Sequence, residues 1–146
     1  CNTVRKIRQR TNREIRIRLH PALSEKGKTA LFGDIKELFI KNTPDIHFST
    51  NQFSYQDFEE CGIAVSYTSG TSVEAVIHGT PVIALDQGNF AWDISSKDIN
   101  NIIKPVLAET ADVNQWLNDL AYSQWTVDEI RSGTAWDHIR QVIKAD

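Results

Sequence analysis

The sequence predicts an α/β domain built on a doubly wound parallel sheet and followed by a helical tail. Three observations carry this expectation. Helix-like and strand-like segments alternate up to residue 105, and only helix-like segments follow. Most strand-like runs are short, β-branched and unalternating, as expected of strands buried on both faces of a parallel sheet. One of them opens into a small-residue loop and a short helix, Ser66 to His78, and Gly79-Thr80-Pro81 then breaks the helix before the next strand. That succession belongs to the carboxyl edge of a parallel sheet.

The elements follow in order. Residues 3–12 form a basic helix with Val4 and Ile7 as its apolar positions. Glu14–Leu19 alternates Ile15, Ile17 and Leu19 with charged residues, a period-two strand with one wet face. His20-Pro21 ends it, because proline cannot continue a ladder. Lys28–Lys41 places Leu31, Ile35, Leu38 and Phe39 at helical spacing, and Asn42-Thr43-Pro44 stops it. Asp45–Ser49 is a strand. Tyr55–Cys61 is a short helix anchored by Phe58, with Gly62 as its expected C-cap. Ile63–Tyr67 is a strand, Ser72–His78 a helix and Pro81–Leu85 a strand. Asp86–Ser96 is a polar and aromatic loop, and Lys97–Ile103 a short helix before Pro105.

Asp112–Tyr122 repeats Val113, Trp116, Leu117 and Leu120 at helical spacing, with Asp112 as the expected N-cap. Thr126–Arg131 and Thr134–Ala145 complete the tail, and Thr126 with Glu129 fits a capping box. Trp116, Trp125 and Trp136 read as core or interdomain anchors. The whole is expected to be one Rossmann-like domain over residues 1–146, with its core at 14–105 and its tail at 106–146.

A length of 146 residues suits one domain with one core. No apolar run is long enough to span a bilayer, and no signal-peptide pattern opens the chain. Cys1 and Cys61 make neither a disulfide framework nor a metal site, so a cytoplasmic setting is the expectation. Methionine is absent and the chain opens inside a charged helical segment, from which a fragment with its true N-terminus upstream is expected. The net charge of −3 is uneven: residues 1–28 carry +7 and the remainder −10. The basic end suits an anionic substrate, nucleic acid or lipid, and equally a solvated basic helix beside an acidic body.

The residues that carry chemistry gather at Thr68-Ser69-Gly70-Thr71-Ser72 and Glu74. Small hydroxyl residues and a glycine at a helix start leave backbone N–H groups and hydroxyls for an anion, and Gly70 permits close approach. Glu74 is placed to accept hydrogen bonds from ribose hydroxyls. A plain capped helix, with Ser or Thr as cap and Glu74 favouring the dipole, accounts for the same residues equally well. Walker and dinucleotide fingerprints are absent. Arg16, Arg18 and His20 share one strand face, so Arg18 and His20 are candidate phosphate contacts or packed loop residues. Asp86, Gln87, Asn89 and Asp93 follow the last strand, where loops carry ligands. No cluster has metal-ligand spacing. His78 reads as a helix-end histidine.

Taken together, Arg18-Leu19-His20-Pro21, the run from Thr68 to Ile83 with its Ser/Thr…Glu-Ala…Gly-x-Pro-Val pattern, and the order of elements resemble the C-terminal half of GT-B glycosyltransferases. The likeness is to capsule-polysaccharide and CDP-glycerol-type transferases, and covers roughly residues 14–105. The run from Gln124 to Trp136 also resembles the tails of phage-borne proteins of this type. The resemblance implies that this half binds a nucleotide-activated sugar or polyol donor, with no metal and no cofactor. Thr68–Ser72 would hold the diphosphate, with Arg18 beside it, and Glu74 the ribose. His20 would act catalytically at the leaving phosphate, and Asp86 and Gln87 would contact the sugar. N–H groups and a His or Arg would stabilise the leaving diphosphate. The implied partners are an N-terminal GT-B half carrying the acceptor site and catalytic base, and an acceptor that is a glycan or modified DNA. The Glu-x7-Glu pattern of some retaining families is not met, since Val82 stands at its second position. Three alternatives remain: a nucleotide-sugar epimerase of the same fold, a non-catalytic nucleotide- or nucleic-acid-binding module using residues 1–28, and a plain structural domain.

Overall fold

The computed structural model describes residues 2–20, 29–43 and 45–145. Pro21, Lys26, Lys28 and Pro44, and the side chains of Leu31 and Ile35, lie outside the described residues. The chain divides into two units, Cys1–Ala108 and Glu109–Asp146.

The first unit opens with α1 (Asn2–Arg8), whose Ile7 is buried. The predicted helix ran to residue 12. It ends earlier because the Arg8 guanidinium turns back onto the carbonyls of Thr11, Arg13 and Asp45 and stabilises a loop there. Strands β1 (Ile15–Ile17) and β2 (Ile46–Phe48) pair in parallel, with Ile15 opposite Ile46 and Ile17 opposite Phe48. Ile15 is buried and Arg16 exposed, so the period-two pattern marks one inner face. Helix α2 (Thr29–Asn42) lies between them in sequence and packs Phe39 against the core. Asp45 takes a left-handed φ of 62° as the chain enters β2, a region that Asp tolerates better than most side chains.

Helix α3 (Tyr55–Phe58) is a single turn. Glu59, in right-handed geometry, ends it, and Gly62 is not among the left-handed glycines, so the expected Gly62 cap is not made. Strands β3 (Ala64–Ser66) and β4 (Val82–Ala84) pair in parallel across α4 (Thr71–Ile77). On the other side of β4, Ser96 accepts from Ala84 N–H and donates to the Val82 carbonyl. All three β4 residues are buried, which is the two-faced burial that the unalternating Val-Ile-Ala run predicted. A 3₁₀ turn (Ile99–Ile102), capped by the Asp98 side chain, replaces the predicted helix 97–103.

The architecture is therefore mixed α/β with parallel pairing. Among the described residues it holds two two-stranded parallel sheets, β1–β2 and β3–β4, and no ladder joins them as the doubly wound expectation required. Past the strand ends, Arg18 donates to the Asn51 and Gln52 carbonyls and Asn89 to the Tyr67 carbonyl. One core still connects the two pairs: Ile7, Ile15, Ile46, Ile83 and Ile102 form a single buried cluster.

Gly79 follows α4 with φ 71°, so the expected glycine stop takes the left-handed form. A Cβ there meets nothing within 4 Å, so Gly79→Ala would introduce backbone strain alone. The expected loss is about 1 kcal/mol of unfolding free energy, read as a lowered urea midpoint with unchanged slope. No loss would mean that the turn is not left-handed.

In the second unit, α5 (Thr110–Tyr122) begins at Glu109 rather than Asp112, which lies in its first turn. Thr126 and Glu129 make the predicted capping box at α6 (Val127–Ser132), and the Thr126 bonds hold the exposed Glu129 carboxyl below its usual range. Gly133 (φ 85°) separates α6 from α7 (Thr134–Ala145). His138 of α7 packs against Tyr122 and Trp125, each ring centre 5.0 Å away. Trp136, expected as an anchor, is exposed.

Candidate functional site

The loops leaving the carboxyl ends of β3 and β4 are joined by Asn89, which is 3% exposed. Its side-chain N–H groups donate to the Ser66 hydroxyl and the Tyr67 carbonyl at the end of β3. Its carbonyl oxygen accepts from the Ser72 hydroxyl at 2.7 Å and from the Ala91 N–H at 2.9 Å. Every polar capacity of this amide is used inside the fold. Gly88 lets the two loops touch: a Cβ there would lie 3.1 Å from the Asp86 carboxylate and 3.5 Å from the Thr68 methyl.

This junction sorts the predicted anion-binding residues. Ser72 is 1% exposed, and its hydroxyl donates to Asn89 and the Ser69 carbonyl, so it braces the loop from beneath. The N–H groups of Ser72 and Val73 close the turn onto the carbonyls of Ser69 and Gly70. Thr68, Ser69 and Gly70 stand exposed, with Thr71 half-buried beside them. The hydroxyls of Ser69 and Thr71 bond at 2.9 Å. No hydrogen bond among the described residues uses the N–H of Thr68, Ser69 or Gly70. What faces solvent is thus a strip of four residues, Thr68 to Thr71, narrower than the predicted five-residue cradle.

Carboxylates flank the strip. Asp86 accepts from the Gly88 N–H at 2.8 Å, beside Thr68. Glu74, in the first turn of α4, is exposed and accepts from the Ser54 hydroxyl. Gln87 is exposed in the same turn as Asp86. Carboxylates accept from hydroxyls and repel phosphate, so these groups suit sugar or ribose hydroxyls.

Arg18 and His20 follow β1. The Arg18 guanidinium is 23% exposed and pairs with Asp57 at 2.8 Å; it also donates to Ser49 and to the carbonyls of Asn51 and Gln52. It ties the loop after β2 to β1. His20 is exposed. Asp57, 12% exposed, also accepts from the Ser49 hydroxyl and the Asn51 amide. Burial pushes its carboxyl up, but the bonds from Ser49, Arg18 and Asn51 outweigh burial and hold it below the ordinary range. Arg16 reaches Glu14 and Glu60 beside it. A polar recess of about 680 Å³ opens here, lined by Arg16, His47, Asn51, Tyr55 and Asp57 among others, and no residue of the Thr68–Glu74 loop lines it.

Sequence reasoning treated Asn89 as one of several loop residues and did not single out Asp57, because the partners that give each its role lie far away in the chain. It also passed over Phe53 and Tyr55, whose rings stack 5.7 Å apart. Tyr55 stacks in turn on His78, at 6.3 Å.

Four arginines of the basic N-terminal stretch are committed to the fold. Arg8 and Arg10 join Arg16 and Arg18 in donating to carbonyls, an amide or carboxylates. No helix among the described residues is long and apolar enough to cross a membrane. The chain matches no protein-family model, and no significant match to it exists among curated proteins or solved structures.

Proposed function

We propose that this chain is the donor-binding domain of a glycosyltransferase-type enzyme. It would hold a nucleoside diphosphate carrying a sugar or polyol and serve the transfer of that group, without a metal at the diphosphate. One observation carries the reading. Two loops at the carboxyl ends of adjacent parallel strands are locked by a buried amide, and a strip of small hydroxyl residues is left exposed above it. Ligands of open α/β folds bind at that edge, and a locked loop spends less entropy on ordering when it binds.

In this reading the diphosphate lies on Thr68–Thr71, and Glu74 and Asp86 receive ribose or sugar hydroxyls. His20 is the candidate group at the leaving phosphate. Arg18 acts as a positioning residue through its bonds to the loop after β2. β1–β2 and β3–β4 belong to one doubly wound, Rossmann-like sheet. The acceptor site and catalytic base belong to a second half of a GT-B fold, and the work is cytoplasmic. The commitment of Arg8, Arg10, Arg16 and Arg18 to internal partners weighs against nucleic-acid binding by the basic stretch.

The test is a titration with UDP, CDP, GDP and ADP followed by amide NMR. Saturable shifts at Thr68–Thr71 and at Gly88–Asn89 are expected with at least one of them. Glu74→Ala is expected to weaken that binding about tenfold, since it removes a charged acceptor worth about 1.5 kcal/mol. A folded chain that stays silent with all four nucleotides would remove the donor reading.

A further inference from the structure

Phe53, Tyr55 and His78 form a three-ring ladder. Phe53 and Tyr55 stack at 5.7 Å and 13°, and Tyr55 and His78 at 6.3 Å and 18°. Phe58 tilts against His78 at 5.8 Å and closes the inner end. The outer end stands in water, with Phe53 50% and Tyr55 44% exposed. Aromatic faces kept parallel and solvated are the surface on which a further flat ring stacks.

Their placement selects the ring. Thr71 and Glu74 follow one face of α4 at helical spacing and His78 caps its end, about 10 Å along from Thr71 at a rise of about 1.5 Å per residue. The Ser54 hydroxyl on Glu74 fastens the Phe53–Tyr55 segment to that same face. Along it come an exposed hydroxyl strip, a carboxylate that accepts from hydroxyls, and a stacking platform. That is the order of phosphate, ribose and base in a nucleotide. Tyr55 also borders the recess that Glu14, Asp57, Glu59 and Glu60 line.

We infer that the Phe53–Tyr55–His78 ladder is the nucleobase platform of the donor site, an assignment that rests on the donor reading above. The base of a nucleoside diphosphate stacks on the outer face of Phe53, while Tyr55 and His78 hold that ring in place. Recognition by stacking tolerates different bases, because each has a π face.

The experiment measures the affinity of the full chain for UDP, CDP, GDP and ADP in the parent, Phe53→Ala, Phe53→Trp, Tyr55→Ala and Tyr55→Phe proteins, with amide spectra confirming the fold. Phe53→Ala and Tyr55→Ala are expected to weaken the nucleotide that binds by about tenfold, the usual effect of removing a stacking ring. Phe53→Trp and Tyr55→Phe are expected to stay within about twofold of the parent, since each keeps a ring face. Because Phe53 is half exposed, its alanine variant keeps the test open should a Tyr55 variant fail to fold. Parent-like affinity in Phe53→Ala overturns the platform and leaves the donor reading standing. Equal weakening by Phe53→Ala and Phe53→Trp also overturns it, because the residue then acts through its size alone. Silence of the parent chain with all four nucleotides removes both readings together.

Discussion

Asn89→Ala is expected to lower the unfolding free energy by about 3 kcal/mol, the largest effect of any single substitution proposed for this chain. The side chain is 3% exposed and meets four partners from three segments. Its removal leaves the Tyr67 carbonyl and the Ala91 N–H without their partner, while the Ser72 hydroxyl keeps the Ser69 carbonyl. Each buried orphan costs about 1–3 kcal/mol, and water entering the vacated volume returns part of that. Against a typical domain stability of about 5–15 kcal/mol, such a loss is readily measured in urea. Asn89→Asp is expected to be nearly as damaging. It keeps both acceptor roles but sets a carboxylate against the Tyr67 carbonyl. Hydrogen exchange supplies the local readout, since the Ala91 amide should lose protection first. A loss under about 0.5 kcal/mol would place Asn89 in the range of ordinary surface substitutions and refute its role at the junction.

Asp57→Ala is expected to cost about 2 kcal/mol at neutral pH. The carboxylate draws Arg18, Ser49 and Asn51 together. Truncating one partner of a fully buried pair costs about 3–5 kcal/mol, but Arg18 is 23% exposed and water screens its abandoned charge. The charge contribution carries a pH signature. Native hydrogen bonds hold the Asp57 carboxyl below its ordinary value of 3.8. A depressed carboxyl stabilises the fold above the unfolded value, and that stability is lost as the pH falls through the folded value. The gap between parent and Asp57→Ala should therefore be constant from neutrality down to about pH 5 and narrow below about pH 4. Urea midpoints measured between about pH 2.5 and 7 across that window decide the matter. A gap that persists undiminished in acid would show that Asp57 acts by packing.

The elements were legible because their causes are local. The β-branched run at Val82–Ala84 announced a strand buried on both faces, and β4 is that strand. Thr126 and Glu129 announced a helix start, and Gly79 a helix stop, since each works through residues within a few positions of itself. Element ends were overestimated. Glu14–Leu19 shrank to Ile15–Ile17, where Arg18 turns to the loop after β2. Tyr55–Cys61 shrank to one turn at Phe58. The candidate site was legible as a loop, Thr68–Ser72, while its division into an exposed strip and a buried brace was not.

Residue order alone set the alternation of helix and strand, the parallel pairing that short apolar strands and intervening helices require, and the small-residue loop after β3. These follow from side-chain periodicity and backbone preference, which neighbouring residues set. Which polar groups remain available to a ligand was settled by packing in three dimensions. Ser72 is withdrawn by an amide 17 positions away. Arg18 is withdrawn by a carboxylate 39 positions away. Tyr55 is stacked by a histidine at the end of another helix. A hydrogen bond depends on two groups meeting in space, and the chain order of Ser72 and Asn89 carries no trace of that meeting until the strands beneath them are paired.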